Sequence, residues 1–115
     1  MPLLRLEIGM PVAGQKKEAL LRTASKIIAD NTGQPESYVM VVLTEGSGVL
    51  GGQTGPVAFA DVRSIGSLDK KTNGALAQAL CDLLKRELDI APDRVFLNFA
   101  EVAATKWAWK GSTVG

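Results

Sequence analysis

At 115 residues and 46% hydrophobic content, the chain has the length of one domain (1–115) with a modest core. Thirteen Lys and Arg against 12 Asp and Glu leave a formal charge of +1, which makes no electrostatic case for nucleic acid or an anionic membrane as partner. With no histidine and one cysteine, the chain can build no Ser-His-Asp triad, Cys-His pair, histidine-ligated zinc site or intrachain disulfide, and the α-amino group is the remaining ordinary group that titrates near neutrality.

The opening "MPLLRLEIG" alternates, with Leu4, Leu6 and Ile8 on one face and Arg5 and Glu7 on the other, the pattern of a half-exposed strand. Pro2 has a plain reading, because the first residue of a strand can spare its missing N–H. It also has a sharper one: removal of Met1 would turn its ring nitrogen from an amide into a basic secondary amine. The segment carries Arg5 and Glu7 and is too short and charged for a signal peptide. No apolar run approaches the roughly 20 residues that span a bilayer. The lone Cys81 calls for no oxidising compartment, so the expected location is cytoplasmic.

From Gln15 to Asn31 the period becomes helical, with Leu20, Ala24, Ile27 and Ile28 on one stripe and Gly33 as terminator. "YVMVVLTE" (Tyr38 to Glu45) is a near-continuous apolar run, which predicts a strand buried on both faces. Gly46, Gly48 and Gly51 match GxGxxG, but a strand ("VAFADVRSIG") follows where a dinucleotide site needs a helix, so the stretch reads as a glycine loop. After Asp69, Leu76, Leu80, Leu83, Leu84 and Leu88 mark a second helix, with Cys81 beside its stripe as a core thiol. "RVFLNFAE" reads as a last strand, and the tail carries Trp107 and Trp109, expected to pack on the body or a neighbour.

The order β-α-β-β-α-β hides a repeat. Pro2 leads to Glu7-Ile8 as Pro56 leads to Asp61-Val62, and Pro35-Glu36 introduces "YVMVVLTE" as Pro92-Asp93 introduces "RVFLNFAE". The reading is an α/β (α+β) fold of two βαβ units with right-handed crossovers, forming a four-stranded mixed sheet with both helices on one face. The other face is then expected to be an apolar patch too large for a monomer, which points to a homo-oligomer.

Pro2 behind Met1, "NTGQPESYV", "SIG" at 64–66, "APDRVFLNF" and the closing Trp109 with "GST" together resemble the macrophage migration inhibitory factor family, part of the tautomerase superfamily. The resemblance runs nearly end to end. It implies a homotrimer whose sheets wrap into a barrel, no cofactor, and keto–enol tautomerisation of an arylpyruvate with Pro2 as base after loss of Met1. It further implies that Ser64 and Ile65 line the pocket floor, that Asn98 reaches substrate from an adjacent subunit, and that Phe96 and Trp109 wall the site. Phe96 stands where many members have tyrosine, and Gln34 where mammalian members place a carboxylate-pairing lysine. Lys106 or Lys110 would substitute if the tail brings one to the rim. "VAFA" (57–60) replaces the mammalian CxxC, so thiol–disulfide activity does not carry over. The alternative is a protein-binding or secreted signalling trimer with a vestigial pocket, reached by non-classical secretion.

Overall fold

The computed structural model describes residues 1–115. Strand β1 (Leu3–Ile8) leads to helix α1 (Gly14–Thr32), a short 3-10 turn (Glu36–Tyr38) and strand β2 (Met40–Glu45). Strand β3 (Ala58–Ser64), helix α2 (Lys70–Leu88), a second 3-10 turn (Pro92–Arg94) and strand β4 (Val95–Glu101) follow, and a small hairpin, β5 (Ala108–Trp109) and β6 (Ser112–Thr113), closes the chain. The four long strands lie in the order β2-β1-β3-β4; β1 and β2 are parallel, β3 and β4 are parallel, and β1 runs antiparallel to β3.

Alternation decides which side of each strand is covered. Leu4, Leu6 and Ile8 from β1 and Ala58, Ala60 and Val62 from β3 are buried, and they meet Leu20, Ala24 and Ile28 of α1 and the leucine stripe of α2 in one core of 18 residues. Each fully buried leucine contributes about 1.5–3 kcal/mol through the apolar surface it removes from water. The two helices also pack on each other. Helix α1 stops at Gly33, which takes the left-handed conformation (φ 72°) and donates its N–H to the Ala29 carbonyl. Helix α2 begins at Asp69, whose carboxylate accepts the Thr72 N–H at 2.8 Å.

The duplication is real, but its register differs from the proline-to-proline match. Gly14 and Lys70 begin the helices, Leu3 pairs with Met40 as Phe59 pairs with Phe96, and Glu36 and Pro92 begin the 3-10 turns; each pair of positions is 56 residues apart. Pro2 therefore corresponds to Ala58, not Pro56, and Pro35 to Ala91. Strand pairing, not the position of a proline, sets equivalence.

Two expectations about the sheet need correction. Strand β2 is not buried on both faces, since it lies at the sheet edge; Met40 and Val42, on its helix-free side, are 60% and 39% exposed. The uncovered face is not a continuous apolar patch either. Its centre holds Arg5, Glu7, Asp61 and Arg63, with apolar Met40, Val42 and Phe96 toward the edge strands. Asp61 is buried and draws Arg5 to 3.2 Å and Arg63 to 3.3 Å. The tail hairpin turns toward the chain's beginning.

Candidate active site

A cavity of about 280 Å³ opens at the end of the sheet where the chain starts, walled by Met1, Pro2, Leu3, Tyr38, Met40 and Trp109. Pro2 is fully buried there. Its carbonyl accepts the Met40 N–H at 3.1 Å, which extends the β1–β2 ladder by one residue and seats the proline ring. On the other side Leu3 pairs with Arg63, so the next residue outward on each strand, Pro2 and Ser64, stands at the same end of the sheet.

Tyr38, at the close of the first 3-10 turn, meets the Trp109 ring edge-on with centroids 5.4 Å apart. Trp109 is placed by the hairpin turn Lys110-Gly111, both residues having positive φ (55° and 79°), as the two-residue turn that matches strand twist requires. The tail is tied down by hydrogen bonds from the Val114 N–H to the Trp107 carbonyl and from the Gly115 N–H to the Ala104 carbonyl.

No carboxylate lines this cavity, and most of its wall is apolar. Burial has the expected effect on an amine: the α-ammonium of Met1 is lowered from its ordinary value of 8.0, with desolvation as the cause. The surroundings thus shift an amine toward its uncharged form.

Among the residues singled out from the sequence, Pro2 and Trp109 share the cavity. Ser64 ends β3 beside Pro2, fully buried with an unpartnered hydroxyl, and Ile65 follows it half-buried. Gln34 is tied to the same loop, donating its side-chain N–H to the Ser67 hydroxyl at 3.3 Å, but it does not line the cavity. Phe96 and Asn98 lie apart from Pro2 within one chain. Both are exposed on the helix-free side of edge strand β4, and Phe96, 63% exposed, borders a second cavity of about 530 Å³ at the far end of β1 and β2.

In that second cavity Arg94 reaches across to the glycine loop. Its guanidinium donates to the carbonyls of Pro56 (2.8 Å) and Gln53 (3.0 Å), with longer contacts to Thr54 and Gly55. The GxGxxG-like stretch is therefore the approach to a clamped loop and opens no helix. Cys81 flanks the α2 stripe, its thiol pushed up chiefly by desolvation and further by Asp82.

The model of the family described as "Macrophage migration inhibitory factor (MIF)" matches residues 1–115. The chain belongs to the macrophage migration inhibitory factor family. A Brugia malayi macrophage migration inhibitory factor homolog is 34% identical, the match covering 100% of both chains. Among solved structures, the homologue from Prochlorococcus marinus superposes with a TM-score of 0.93 at 32% identity, covering 98% of this chain and 99% of its own. The macrophage migration inhibitory factor-like protein of Entamoeba histolytica gives 0.94 at 27% identity, with 97% of each chain covered.

Among the wall residues that the sequence does not single out for the site is Tyr38. The apolar run places it at the start of a strand, whereas it ends the turn before β2. The available signal was "PESY": Pro35 and Glu36 begin a turn, and a tyrosine inside that turn stands outside the alternation of the following strand.

Proposed function

We propose that this chain is a keto–enol tautomerase acting on arylpyruvate-type substrates, with the Pro2 nitrogen as general base once Met1 has been removed. The observation that carries this reading is the burial of Pro2 in an apolar cavity that already lowers the neighbouring Met1 ammonium. While Met1 is attached, the Pro2 nitrogen is an amide and carries no basic lone pair. After its removal the secondary amine occupies the same walls, and desolvation depresses its pKa toward neutrality.

The free amine takes a proton from the carbon beside the substrate ketone, the enolate oxygen receives a proton from water to give the enol, and the Pro2 ammonium returns its proton to the hydroxide so formed; the reverse sequence returns the ketone. Phe96 has no hydroxyl to supply that proton. The aromatic body of the substrate fits against Tyr38 and Trp109, which wall the cavity.

The site is proposed to be completed in a homotrimer. Phe96 and Asn98 sit on the uncovered side of edge strand β4, away from their own Pro2, and a second copy placed along that edge brings them to its own proline cavity. The exposure of Met40, Val42 and Phe96 supports such a contact.

The test is steady-state tautomerisation of phenylpyruvate by protein whose mass confirms a Pro2 start. Pro2→Gly, which keeps a terminal amine but loses the ring, is expected to lower kcat by about 100-fold or more, the usual scale of general-base loss. Equal kcat in the variant and the parent contradicts the role of Pro2.

A further inference from the structure

One row of residues crosses the helix-free face at mid-sheet: Val42, Arg5, Asp61 and Asn98, in register on the four strands. Asp61 is the buried member, 4% exposed, and its two oxygens are used unequally. Oδ2 takes both Arg5 (3.2 Å) and Arg63 (3.3 Å), whereas Oδ1 is buried with no hydrogen-bond partner in the chain. A buried carboxylate oxygen left without a donor costs stability, and native folds seldom keep one. The arginines do not supply that donor, since both turn to the other oxygen. Asn98 stands beside Asp61 on β4, exposed on the same face, and no side-chain hydrogen bond of the chain holds its amide. Neighbouring strands lie about 4.8 Å apart, which leaves an aspartate and an in-register asparagine within reach of one hydrogen bond.

We propose that Asp61 is a positioning residue for Asn98, its free Oδ1 accepting an N–H of the Asn98 amide. The inference rests on the trimeric tautomerase reading, in which Asn98 of one copy meets the proline cavity of the next. An asparagine amide has a donor end and an acceptor end, and a carboxylate offers acceptors only. Asp61 therefore draws the donor end inward and leaves the Asn98 carbonyl facing the open edge of β4, where the second copy lies. Sheet order makes this one-sided, because β4 has β3 on one flank and no strand of its own chain on the other. The hydrogen-bond donor that an ionised arylpyruvate brings to such a carbonyl is its enol hydroxyl. An exposed amide without a partner has to be ordered when the ligand arrives, and one fixed in advance saves that cost. Arg5 and Arg63 in turn hold Asp61, so three strands converge on the orientation of one amide.

The experiment uses the full chain processed to Pro2 and compares the parent with Asp61→Asn, Asn98→Ala and the double variant. Asparagine at position 61 keeps the volume, and its single carbonyl goes to the arginines, so the tether is lost while the fold is kept. Nitrogen–proton NMR reads the Asn98 side-chain amide, identified by its absence from Asn98→Ala. In the parent one of its protons is expected downfield and slow to exchange, and in Asp61→Asn both are expected where a solvated amide has them. Turnover of the phenylpyruvate enol gives KM and kcat, and quenching of tryptophan fluorescence gives Kd without turnover. Asp61→Asn is expected to raise KM and Kd about fivefold with kcat moving less, and to add nothing once Asn98 is alanine. An aspartate that only supports the fold weakens binding equally in both backgrounds, and that result overturns the assignment while leaving Pro2 as base. A tethered amide and coupled binding without turnover uphold the assignment and overturn the tautomerase reading. An Asn98 amide that behaves as solvated in the parent overturns the assignment whatever the variants do, as do unchanged KM and Kd in Asp61→Asn. A parent that sediments as a monomer, or an Asp61→Asn variant that dissociates where the parent does not, overturns it too.

Discussion

The two βαβ halves share one scaffold at an offset of 56 residues and put it to different use. In the first half, β1 begins at the chain terminus, and Pro2 and Met1 look into an apolar cavity. In the second, the equivalent position is Ala58, an interior residue preceded by the glycine loop, and Arg94, the counterpart of Tyr38, clamps that loop. A free α-amine needs a chain terminus, so the base proposed at Pro2 has no counterpart at Ala58. The charges at the junction are exchanged in the same way: Arg5 and Asp61 are equivalent positions and also cross-strand partners, so the ion pair sits on the pseudo-twofold axis.

The halves also differ in how much core they carry. Helix α2 buries Leu76, Leu80, Leu83, Leu84 and Leu88, whereas α1 buries Leu20, Ala24 and Ile28, so Ala24 stands where α2 has Leu80. Leu80→Ala is expected to destabilise the fold by about 2–5 kcal/mol through lost burial and the cavity it leaves. Ala24→Gly, which removes one methyl group and loosens the backbone, is expected to cost only about 1 kcal/mol. Urea unfolding of the two variants measures both; equal losses would break the claim that the second half dominates the core.

The axial ion pair gives a smaller effect. Asp61 is buried with one oxygen facing Arg5 and Arg63 and the other unpartnered, whereas both arginines are about half exposed. Asp61→Ala leaves two guanidinium groups side by side and is expected to cost about 1–3 kcal/mol. Arg5→Gln, which leaves Arg63 on the carboxylate, should cost less. The reverse order in denaturant midpoints would show that the pair does not depend on the buried member.

Helix starts differ least. Asp69 caps α2, while its counterpart Ala13 offers α1 no side-chain cap. Ala13→Asp is expected to raise stability by about 0.5–1 kcal/mol. The Asp69 carboxyl is lowered from its ordinary 3.8 mainly by the Thr72 N–H bond. A carboxyl lowered in the folded state stabilises above its unfolded pKa and loses that contribution as pH falls through the folded value. The gap in melting temperature between the parent and Asp69→Ala should accordingly be full at neutral pH and close in acid below that value. A gap that stays constant with pH would place the cap's effect elsewhere.

Much of the frame was legible because it depends on local periodicity. The stripes ending at Ile28 and Leu88, the Gly33 terminator and the four long strands need only the spacing of apolar residues and one turn residue. The misreadings concern long-range placement. The exposure of β2 follows from its position at the sheet edge, and composition cannot distinguish an edge strand awaiting a partner from a central one. Pro56 misled because proline marks strand starts without fixing register. Pro2 and Trp109, which share the cavity, were singled out through the family resemblance, and Tyr38 became prominent only once the hairpin had folded back beside the first strand.

The central claim is that the first half differs from the second by a free proline amine. Its most direct test is the pH dependence of kcat/KM for phenylpyruvate, measured on two preparations resolved by mass, one starting at Pro2 and one retaining Met1. Depression of the amine's pKa by burial predicts that the Pro2 form gains activity as the ammonium deprotonates, reaching its plateau well below the range of an ordinary secondary amine, with the Met1 form inactive throughout. Equal rates and identical pH profiles in the two preparations would contradict the account.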